Sequence, residues 1–232
     1  MAGSTTSIET QTHYEDVLAH LPASKTTAYD KGQMIYDLDR HPRSIYLVVN
    51  GAVGISHRAE NGADVLLDIV RTDELFGESA FLEVQCPSER ASAIEKAELM
   101  NWTVSEMEDL VTKRPRLAVA LLQILAKRNA EYTRRIQSFA VDSVERRLAR
   151  SLIRFSERFG IEEEGGAVQM MPFTHDMLSR YVGTSREIVT QYMNSFRDRG
   201  YVSYDRRGIR LYRGALRQVI DGRGLPSADS ND

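Results

Sequence analysis

The polar residues between positions 184 and 191 form the pattern best suited to recognise a partner molecule. The run Thr184-Ser185-Arg186-Glu187 places capping hydroxyls before apolar residues at helical spacing, which predicts the start of a helix. Guanidinium and amide groups on the first turns of a helix can hydrogen-bond base edges in the DNA major groove. We therefore predict contacts to base edges and phosphates from Ser185, Arg186, Glu187, Thr190 and Gln191.

These side chains need a scaffold, and the residues from 173 to 197 predict two short helices joined by a tight turn at Gly183. Thr174 is placed to cap the first helix. Five apolar side chains of the pair are predicted to pack inward: Val182, Ile188, Val189, Met193 and Phe196. A helical hairpin that never touches DNA would show the same pattern, so the residues that follow decide between the two interpretations.

Those residues predict a β-hairpin. Strand-forming residues at 201–204 and 209–212 flank a turn that contains Arg206 and Arg207. A helix-turn-helix followed by such a wing predicts a winged-helix domain, in which Thr174, Ser185 and the two wing arginines contact phosphate. Residues 174–217 hold nine arginines against four acidic residues, a local net charge of +5 in a chain of net charge −3, which suits a phosphate backbone.

Composition excludes several classes of protein. A single cysteine, Cys86, leaves too few thiols for a disulfide framework, a four-cysteine zinc finger or an iron–sulfur cluster. The sequence has no apolar run long enough to span a bilayer and no signal peptide, so we expect a cytoplasmic protein that does not bind a membrane. Without a nucleophile elbow, metal-spaced histidines or a phosphate-binding lysine loop, we predict no enzyme and no metal site.

The first half of the chain is predicted to be an antiparallel barrel or jelly roll, with strands at 28–36, 45–49, 51–57, 65–70, 90–94 and 99–103. The fold class is therefore α+β. We predict a disordered tail at 1–12, a sensor β-roll domain at 13–110, a long dimerisation helix at 111–141, the winged helix-turn-helix domain at 142–221 and a flexible tail at 222–232.

The long helix is expected to run unbroken after Pro115 and to pair with a second copy of itself. Apolar residues at heptad spacing predict a parallel two-helix seam formed by Leu122, Leu125, Asn129, Tyr132, Ile136 and Phe139. The alternative is a helix packed on its own barrel, a role that suits Ala118, Leu121 and Ile124. Three charged residues are interpreted as a solvated face: Arg128, Glu131 and Arg134.

Two stretches of the chain carry a resemblance to a known family. The segments IYLVVNGAVGI and RTDELFGESAFL resemble the cyclic-nucleotide-binding barrel of the Crp/Fnr transcription regulators, a cupin-like roll, and VGTSREIVTQYM is similar to their recognition helix. The resemblance implies a homodimeric, sequence-specific transcription regulator that binds two-fold symmetric double-stranded DNA and contacts RNA polymerase. It also implies that Arg186 and Glu187 read a G·C pair and a cytosine, with Gln191 in place of the third reader, an arginine.

The resemblance leaves the effector open. In cyclic-nucleotide receptors of this family a glycine and a glutamate meet the ribose, which here match Gly77 and Glu78, followed by Ser79. An ungapped comparison puts Pro87 where the phosphate-binding arginine belongs, whereas a longer loop would deliver Arg90. Tyr132 and Thr133 stand where the receptors meet the purine. The alternatives are a cyclic-AMP-dependent activator that uses Glu78 and Arg90, another small effector such as a dicarboxylate, haem held by His41 or His57, or no ligand.

Overall fold

The structure is a computed structural model that describes residues 15–37, 42–60, 62–82, 89–205 and 208–222. In the first half, two four-stranded antiparallel sheets form the predicted β-roll, with strand orders β1-β8-β3-β6 and β2-β7-β4-β5. The strands are β1 (Thr26–Tyr29), β2 (Met34–Tyr36), β3 (Ser44–Asn50), β4 (Ala52–Arg58), β5 (Asp64–Arg71), β6 (Leu75–Phe76), β7 (Glu89–Ala93) and β8 (Ala97–Thr103).

The interior of the roll is packed with apolar and aromatic side chains. The rings of Tyr46 and Phe76 stack with centroids 5.0 Å apart, and the ring of Tyr36 lies 6.3 Å from that of Phe76. The turn between β3 and β4 requires Gly51, because φ is +88° there and a Cβ atom would lie 2.2 Å from the carbonyl oxygen of Lys96. The Asn50-Gly51 dipeptide, a sequence typical of hairpin turns, joins two different sheets here, because β3 pairs with β6 and β8 whereas β4 pairs with β5 and β7.

Two helices follow the roll. Helix α1 (Val104–Lys113) begins with a capping box between Thr103 and Glu106, and helix α2 (Arg116–Val141) begins directly after Pro115 and runs unbroken, as predicted. The domain boundary predicted at residue 110 lies inside α1. The helical structure is interrupted four residues later, at Arg114–Pro115, between the end of α1 and the start of α2. Four α2 residues face the roll: Leu117, Ala120, Leu121 and Ile124.

The second half is a winged helix-turn-helix. It comprises α3 (Val144–Phe159), β9 (Ile161–Glu162), β10 (Val168–Met170), α4 (His175–Val182), α5 (Arg186–Asp198), β11 (Val202–Asp205), β12 (Gly208–Leu211) and α6 (Arg213–Ile220). The last four strands form one antiparallel sheet in the order β11-β12-β10-β9. Leu148, Leu152 and Phe155 of α3 are fully buried in its core.

The two halves share a hydrophobic core. Ala52, Leu66 and Ile69 of the roll belong to the same buried cluster as the apolar faces of α3, α4 and α5. The sheet that carries β4 and β5 therefore packs directly on the winged helix-turn-helix. This contact docks the helix-turn-helix on the sensor roll.

Candidate nucleic-acid interface and sensor site

The helix-turn-helix is held by three local features that the sequence predicted. The Thr174 hydroxyl accepts a hydrogen bond from the backbone N–H of Met177 at 3.1 Å, and the Ser185 hydroxyl accepts one from the backbone N–H of Ile188 at 3.3 Å. Between the helices Gly183 adopts φ +72°, and a Cβ atom there would lie 2.8 Å from the ring of Phe139 at the end of α2. The turn is therefore tight and lies directly against the long helix.

The start of α5 presents a polar surface to solvent. Arg186, Glu187 and Gln191 are exposed, and the side chains of Arg186 and Gln191 have no hydrogen-bond partner within the described chain. Hydrogen bonds from the Glu187 backbone N–H and from the Ser185 hydroxyl lower the pKa of the Glu187 carboxyl, which keeps it ionised. The start of α5 therefore exposes two side chains without a hydrogen-bond partner in the described chain, Arg186 and Gln191, beside the ionised carboxylate of Glu187.

Two residues of α5 depart from expectation. Ile188 was predicted to pack inward, but it is 38% exposed, so that prediction is wrong. Ile188 lies on the outer surface of α5 with Arg186, Glu187 and Gln191, because Val189, one position later, occupies the buried position in the core. The Thr190 hydroxyl, predicted to face DNA, is instead half-buried and held within the protein by the Arg186 carbonyl at 2.9 Å and by His175 Nδ1 at 2.8 Å.

His175 is a residue that sequence reasoning missed. It joins the first turn of α4 to Thr190 of α5, and its ring contacts that of Tyr204 on β11 edge-on with centroids 5.6 Å apart. The Tyr204 hydroxyl in turn donates to Asn194 of α5 at 3.0 Å. These contacts tie the wing to the recognition helix. Arg206 and Arg207, the predicted phosphate contacts of the wing, lie outside the described residues.

We expect His175 to make stability depend on pH. Burial, and secondarily the nearby charge of Arg186, lower the pKa of His175 below its ordinary 6.5. The unfolded chain therefore takes up its proton first, and stability should fall as pH drops below 6.5 until the folded-state pKa is also passed. Denaturant unfolding at about pH 7.5 and about pH 5.5 measures this change. His175→Gln should show a smaller loss than the wild type, and equal losses would contradict the prediction.

In the sensor roll, the predicted effector residues are already engaged with the chain itself. Gly77 has φ +88°, and a Cβ atom there would lie 2.7 Å from the Ser44 carbonyl oxygen, so glycine is required. The carboxylate of Glu78, which follows it, pairs with Arg128 of α2. Arg128 also donates to the Leu75 carbonyl oxygen and is only 13% exposed, so interpreting it as part of a solvated face was wrong.

Glu89 is the residue of this site that the sequence did not reveal. One of its carboxylate oxygens accepts hydrogen bonds from the Ser79 hydroxyl at 2.8 Å and from the Tyr36 hydroxyl at 2.7 Å. The neighbouring Arg90 pairs instead with Asp64 at 3.4 Å, and no hydrogen bond or ion pair in the described chain joins it to Glu78. Each of the two residues proposed to grip a cyclic nucleotide is therefore already paired within the protein, Glu78 with Arg128 and Arg90 with Asp64.

The two α2 residues of the predicted effector site, Tyr132 and Thr133, have different environments. Burial and the nearby Asp68 carboxylate raise the pKa of Tyr132 to about 12, against the opposing charge of Arg128 and with smaller contributions from Glu78 and Glu89. Thr133 is exposed, and its hydroxyl donates to the Asn129 carbonyl at 2.9 Å. Tyr132 is therefore partly buried beside the charged groups of the roll, whereas Thr133 is exposed in the single chain.

Asp68 links this site to the DNA-binding half. Its buried carboxylate lies 3.9 Å from the guanidinium of Arg128 and 2.5 Å from that of Arg158 on α3. Arg158 also pairs with Glu74 at 2.8 Å and donates to the Ile69 carbonyl. Burial alone would lower the pKa of Arg158, but the carboxylates of Asp68 and Glu74 raise it above its usual range. The guanidinium of Arg158 therefore stays protonated. A continuous chain of charges thus runs from Glu78 to α3.

Comparison with known proteins agrees with this architecture. The cyclic nucleotide-binding domain model matches residues 26–114, and the Crp-like helix-turn-helix domain model matches residues 146–219. The transcriptional regulator SdrP of Thermus thermophilus is 31% identical over 204 residues, which make up 86% of this chain and 96% of SdrP. The chain belongs to the Crp/Fnr family. The predicted fold class and the predicted DNA-binding transcription regulator are thereby confirmed.

Other Crp/Fnr relatives extend the comparison. The crystal structure of a Crp/Fnr-family transcriptional regulator from Thermus thermophilus has a TM-score of 0.68 and 30% identity, covering 86% of this chain and all of that one. A CRP-like cAMP-activated global transcriptional regulator of Mycobacterium tuberculosis is 25% identical over 185 residues, 78% of this chain and 81% of that protein. These relatives are transcription regulators rather than enzymes.

The rest of α2 presents the predicted Crp/Fnr dimer seam to solvent. Leu122 and Ile136 are 65% and 69% exposed in the single chain, and Leu125 and Asn129 are also exposed. Tyr132 and Phe139 have partners within the chain, since Tyr132 faces the sensor roll and Phe139 lies against Gly183.

No helix in the described ranges is long and apolar enough to cross a membrane, and no cluster there of histidine, cysteine or acidic residues is arranged to hold a metal.

Proposed function

We propose that the protein acts in the cytoplasm as a homodimer that binds two-fold symmetric double-stranded DNA, contacts RNA polymerase and regulates transcription. The observation that carries this proposal is the presence of two exposed surfaces on the same chain. One is the polar start of α5, and the other is the apolar stripe of α2. A helix-turn-helix dimer reads two half-sites one helical turn apart, so the symmetry of the protein sets that of its operator.

The α2 stripe supports a parallel helix pair as the dimer contact. Leu122, Leu125 and Ile136 are large apolar side chains whose exposure on a 26-residue helix would be unfavourable in an isolated chain. Asn129 interrupts the stripe at a heptad position. A buried asparagine at such a position lowers stability but fixes register and the number of strands.

Replacing Asn129 by isoleucine tests this contact. We expect Asn129→Ile to raise the thermal stability of the dimer and to add larger oligomers, because the polar register device is lost. Analytical ultracentrifugation and thermal unfolding measure both effects. Ala130→Ile places the same side chain one position away, off the seam, and should leave the oligomeric state unchanged. An Asn129→Ile protein that is dimeric and no more stable than the wild type would remove Asn129 from the seam.

The exposed α5 side chains support a specific reading of the half-site. Arg186 is placed to grip guanine O6 and N7, Glu187 to accept from cytosine N4, and Gln191 to pair with adenine N6 and N7. Ile188 stands among them and adds an apolar surface suited to a thymine methyl group. The groups proposed to contact phosphate and to set the register are Thr174, Ser185, Arg206 and Arg207.

Gln191→Arg should change the base preferred at one position of each half-site from adenine to guanine. The reason is that a guanidinium fork donates two hydrogen bonds to guanine, whereas an amide both donates and accepts, as adenine requires. Selection from a randomised duplex pool, followed by sequencing, measures the change. Gln191→Ala is the matched control and should lose the preference for adenine without gaining guanine. Identical consensus sequences for the wild type and Gln191→Arg would exclude this role.

For the effector, we propose a small-molecule ligand at the sensor roll, with cyclic AMP as the alternative that the mycobacterial relative suggests. Cyclic AMP would have to take Glu78 from Arg128 and draw Arg90 away from Asp64. We therefore propose that the protein binds DNA without cyclic AMP, on the ground that both residues already have partners within the protein.

Fluorescence anisotropy tests the proposed function directly. The full-length protein is titrated onto a scrambled duplex and onto a duplex with two half-sites of the TGTGA type, which the resemblance to the Crp/Fnr recognition helix implies. Each titration is run with and without cyclic AMP. Specific binding in both conditions is the expected result. Specific binding that appears only with cyclic AMP would favour the alternative. Weak binding to both duplexes, repeated with duplexes from the randomised pool, would contradict sequence-specific recognition.

A further inference from the structure

A cavity of about 590 Å³ lies where the end of α2 meets α3, α4 and α6, away from the interior of the sensor roll. This volume is in the range of small-molecule sites, which often form between domains. Its lining is rich in cations: Arg134, Arg135, Arg147, Arg150, Arg154 and Arg217. Four acidic residues also line it, Glu131, Asp142, Glu157 and Asp221, so the cavity has a net charge of +2.

Internal ion pairs account for only two of the six arginines. Arg150 pairs with Asp142 at 2.8 Å, and Arg154 pairs with Glu131. Glu157 and Asp221 are exposed and form no ion pair in the described chain. The excess positive charge of the cavity therefore rests on the other four arginines.

Arg135 and Arg147 are partly buried without a carboxylate partner. Arg135 donates to the carbonyl oxygens of Leu66, Leu67 and Tyr181, and its guanidinium lies 4.1 Å from the centroid of the Tyr181 ring. Burial, together with the like charge of Arg154, lowers the pKa of Arg135. Arg147 donates to the carbonyl oxygens of Val182 and Asp142. A desolvated cation that meets only carbonyl dipoles and ring faces favours the arrival of an anion.

Arg134 and Arg217 complete the arrangement from opposite sides. Both are exposed, one on α2 and the other on α6, and neither has an ion pair within the described residues. Arginine forks of this kind bind carboxylate and phosphate groups through paired, charge-assisted hydrogen bonds. The cavity therefore offers two exposed arginine forks without ion pairs beside two partly buried cations without a carboxylate partner.

We propose that this cavity binds a small anion with at least two acidic groups, either phosphates or carboxylates. Such a ligand would touch α2 of the sensor half and α3 and α6 of the DNA-binding half at once. Its binding stabilises the docked orientation of the helix-turn-helix, because a ligand that bridges two domains favours the arrangement in which both contacts form. The site is separate from the sensor roll and does not depend on DNA.

Isothermal titration calorimetry on the full-length protein without DNA tests the proposal. The probes are inorganic pyrophosphate and citrate, which separate the phosphate source from the carboxylate source. We expect saturable binding of one anion per chain by at least one probe. The double variant R134A/R217A should weaken it at least about tenfold, because two charge-assisted contacts are lost. Both residues are exposed and unpaired, so the variant should fold normally, which circular dichroism verifies.

The control is R197A/R210A, which removes the same number of charges from two exposed arginines of the DNA-binding half that lie outside the cavity. It should bind the anion as the wild type does. Equal weakening in both double variants would show non-specific charge attraction and overturn the proposal. So would the absence of saturable binding at concentrations up to about 1 mM.

Discussion

Arg158→Met is expected to destabilise the folded protein by about 3–5 kcal/mol, the range for breaking a buried ion pair from one side. Arg158 reaches from α3 to Asp68 at 2.5 Å and to Glu74 at 2.8 Å. The Asp68 side chain is only 5% exposed, and its remaining cation, Arg128, lies 3.9 Å away and is already paired with Glu78. Methionine keeps the length of the side chain but leaves the Asp68 carboxylate buried with too little compensation. Urea unfolding monitored by circular dichroism measures the loss.

Arg210→Met is the control for this experiment. Arg210 pairs with Glu163 at 2.6 Å, but the two side chains are 44% and 39% exposed. An exposed pair contributes only about 0.2–1 kcal/mol, although its distance matches that of the Arg158 pair. A loss in Arg158→Met no larger than in Arg210→Met would mean that solvent reaches Asp68 and that the interdomain charge chain adds no stability.

The Arg158 contacts also show what the sequence could not provide. Arg158 and Asp68 are 90 positions apart, and Arg128 and Glu78 are 50 apart. Hydrophobic periodicity reports which face of an element is buried, but it does not report which charged groups of different elements meet. For that reason the sequence pattern predicted that Arg128 lies on a solvated face, and it did not predict the contacts of Glu89 with Ser79 and Tyr36.

The helix-turn-helix was predictable because its signals are local. Each signal involves residues within about one helical turn of each other. In the structure Thr174 and Ser185 are the N-caps of α4 and α5, and Gly183 forms the turn between them, as predicted. The exception is Ile188, since an apolar residue on a DNA-facing surface looks like a core residue in any pattern of periodicity. Strand β6 has only two residues, Leu75 and Phe76, which is too short for alternation to reveal.

Arg186→Ala is expected to weaken specific DNA binding by about 1–3 kcal/mol more than it weakens non-specific binding. Arg186 is the first residue of α5, it is exposed, and its side chain has no partner within the described chain. Its guanidinium is therefore available to pair with one base, because it makes no hydrogen bond or ion pair within the described chain. Competition binding between a selected duplex and its scrambled counterpart, at fixed salt, measures the specificity ratio directly.

Arg197→Ala separates loss of base reading from loss of charge. Arg197 lies at the other end of α5, is exposed and pairs with the adjacent Asp198. Its removal changes the net charge by the same amount, so any general electrostatic contribution should fall equally in the two variants. If Arg186 reads a base, only Arg186→Ala should lower the ratio of specific to non-specific affinity, and its consensus sequence should relax at one position of each half-site. Equal ratios in the two variants would instead make Arg186 a phosphate contact and leave specificity to Glu187, Ile188 and Gln191.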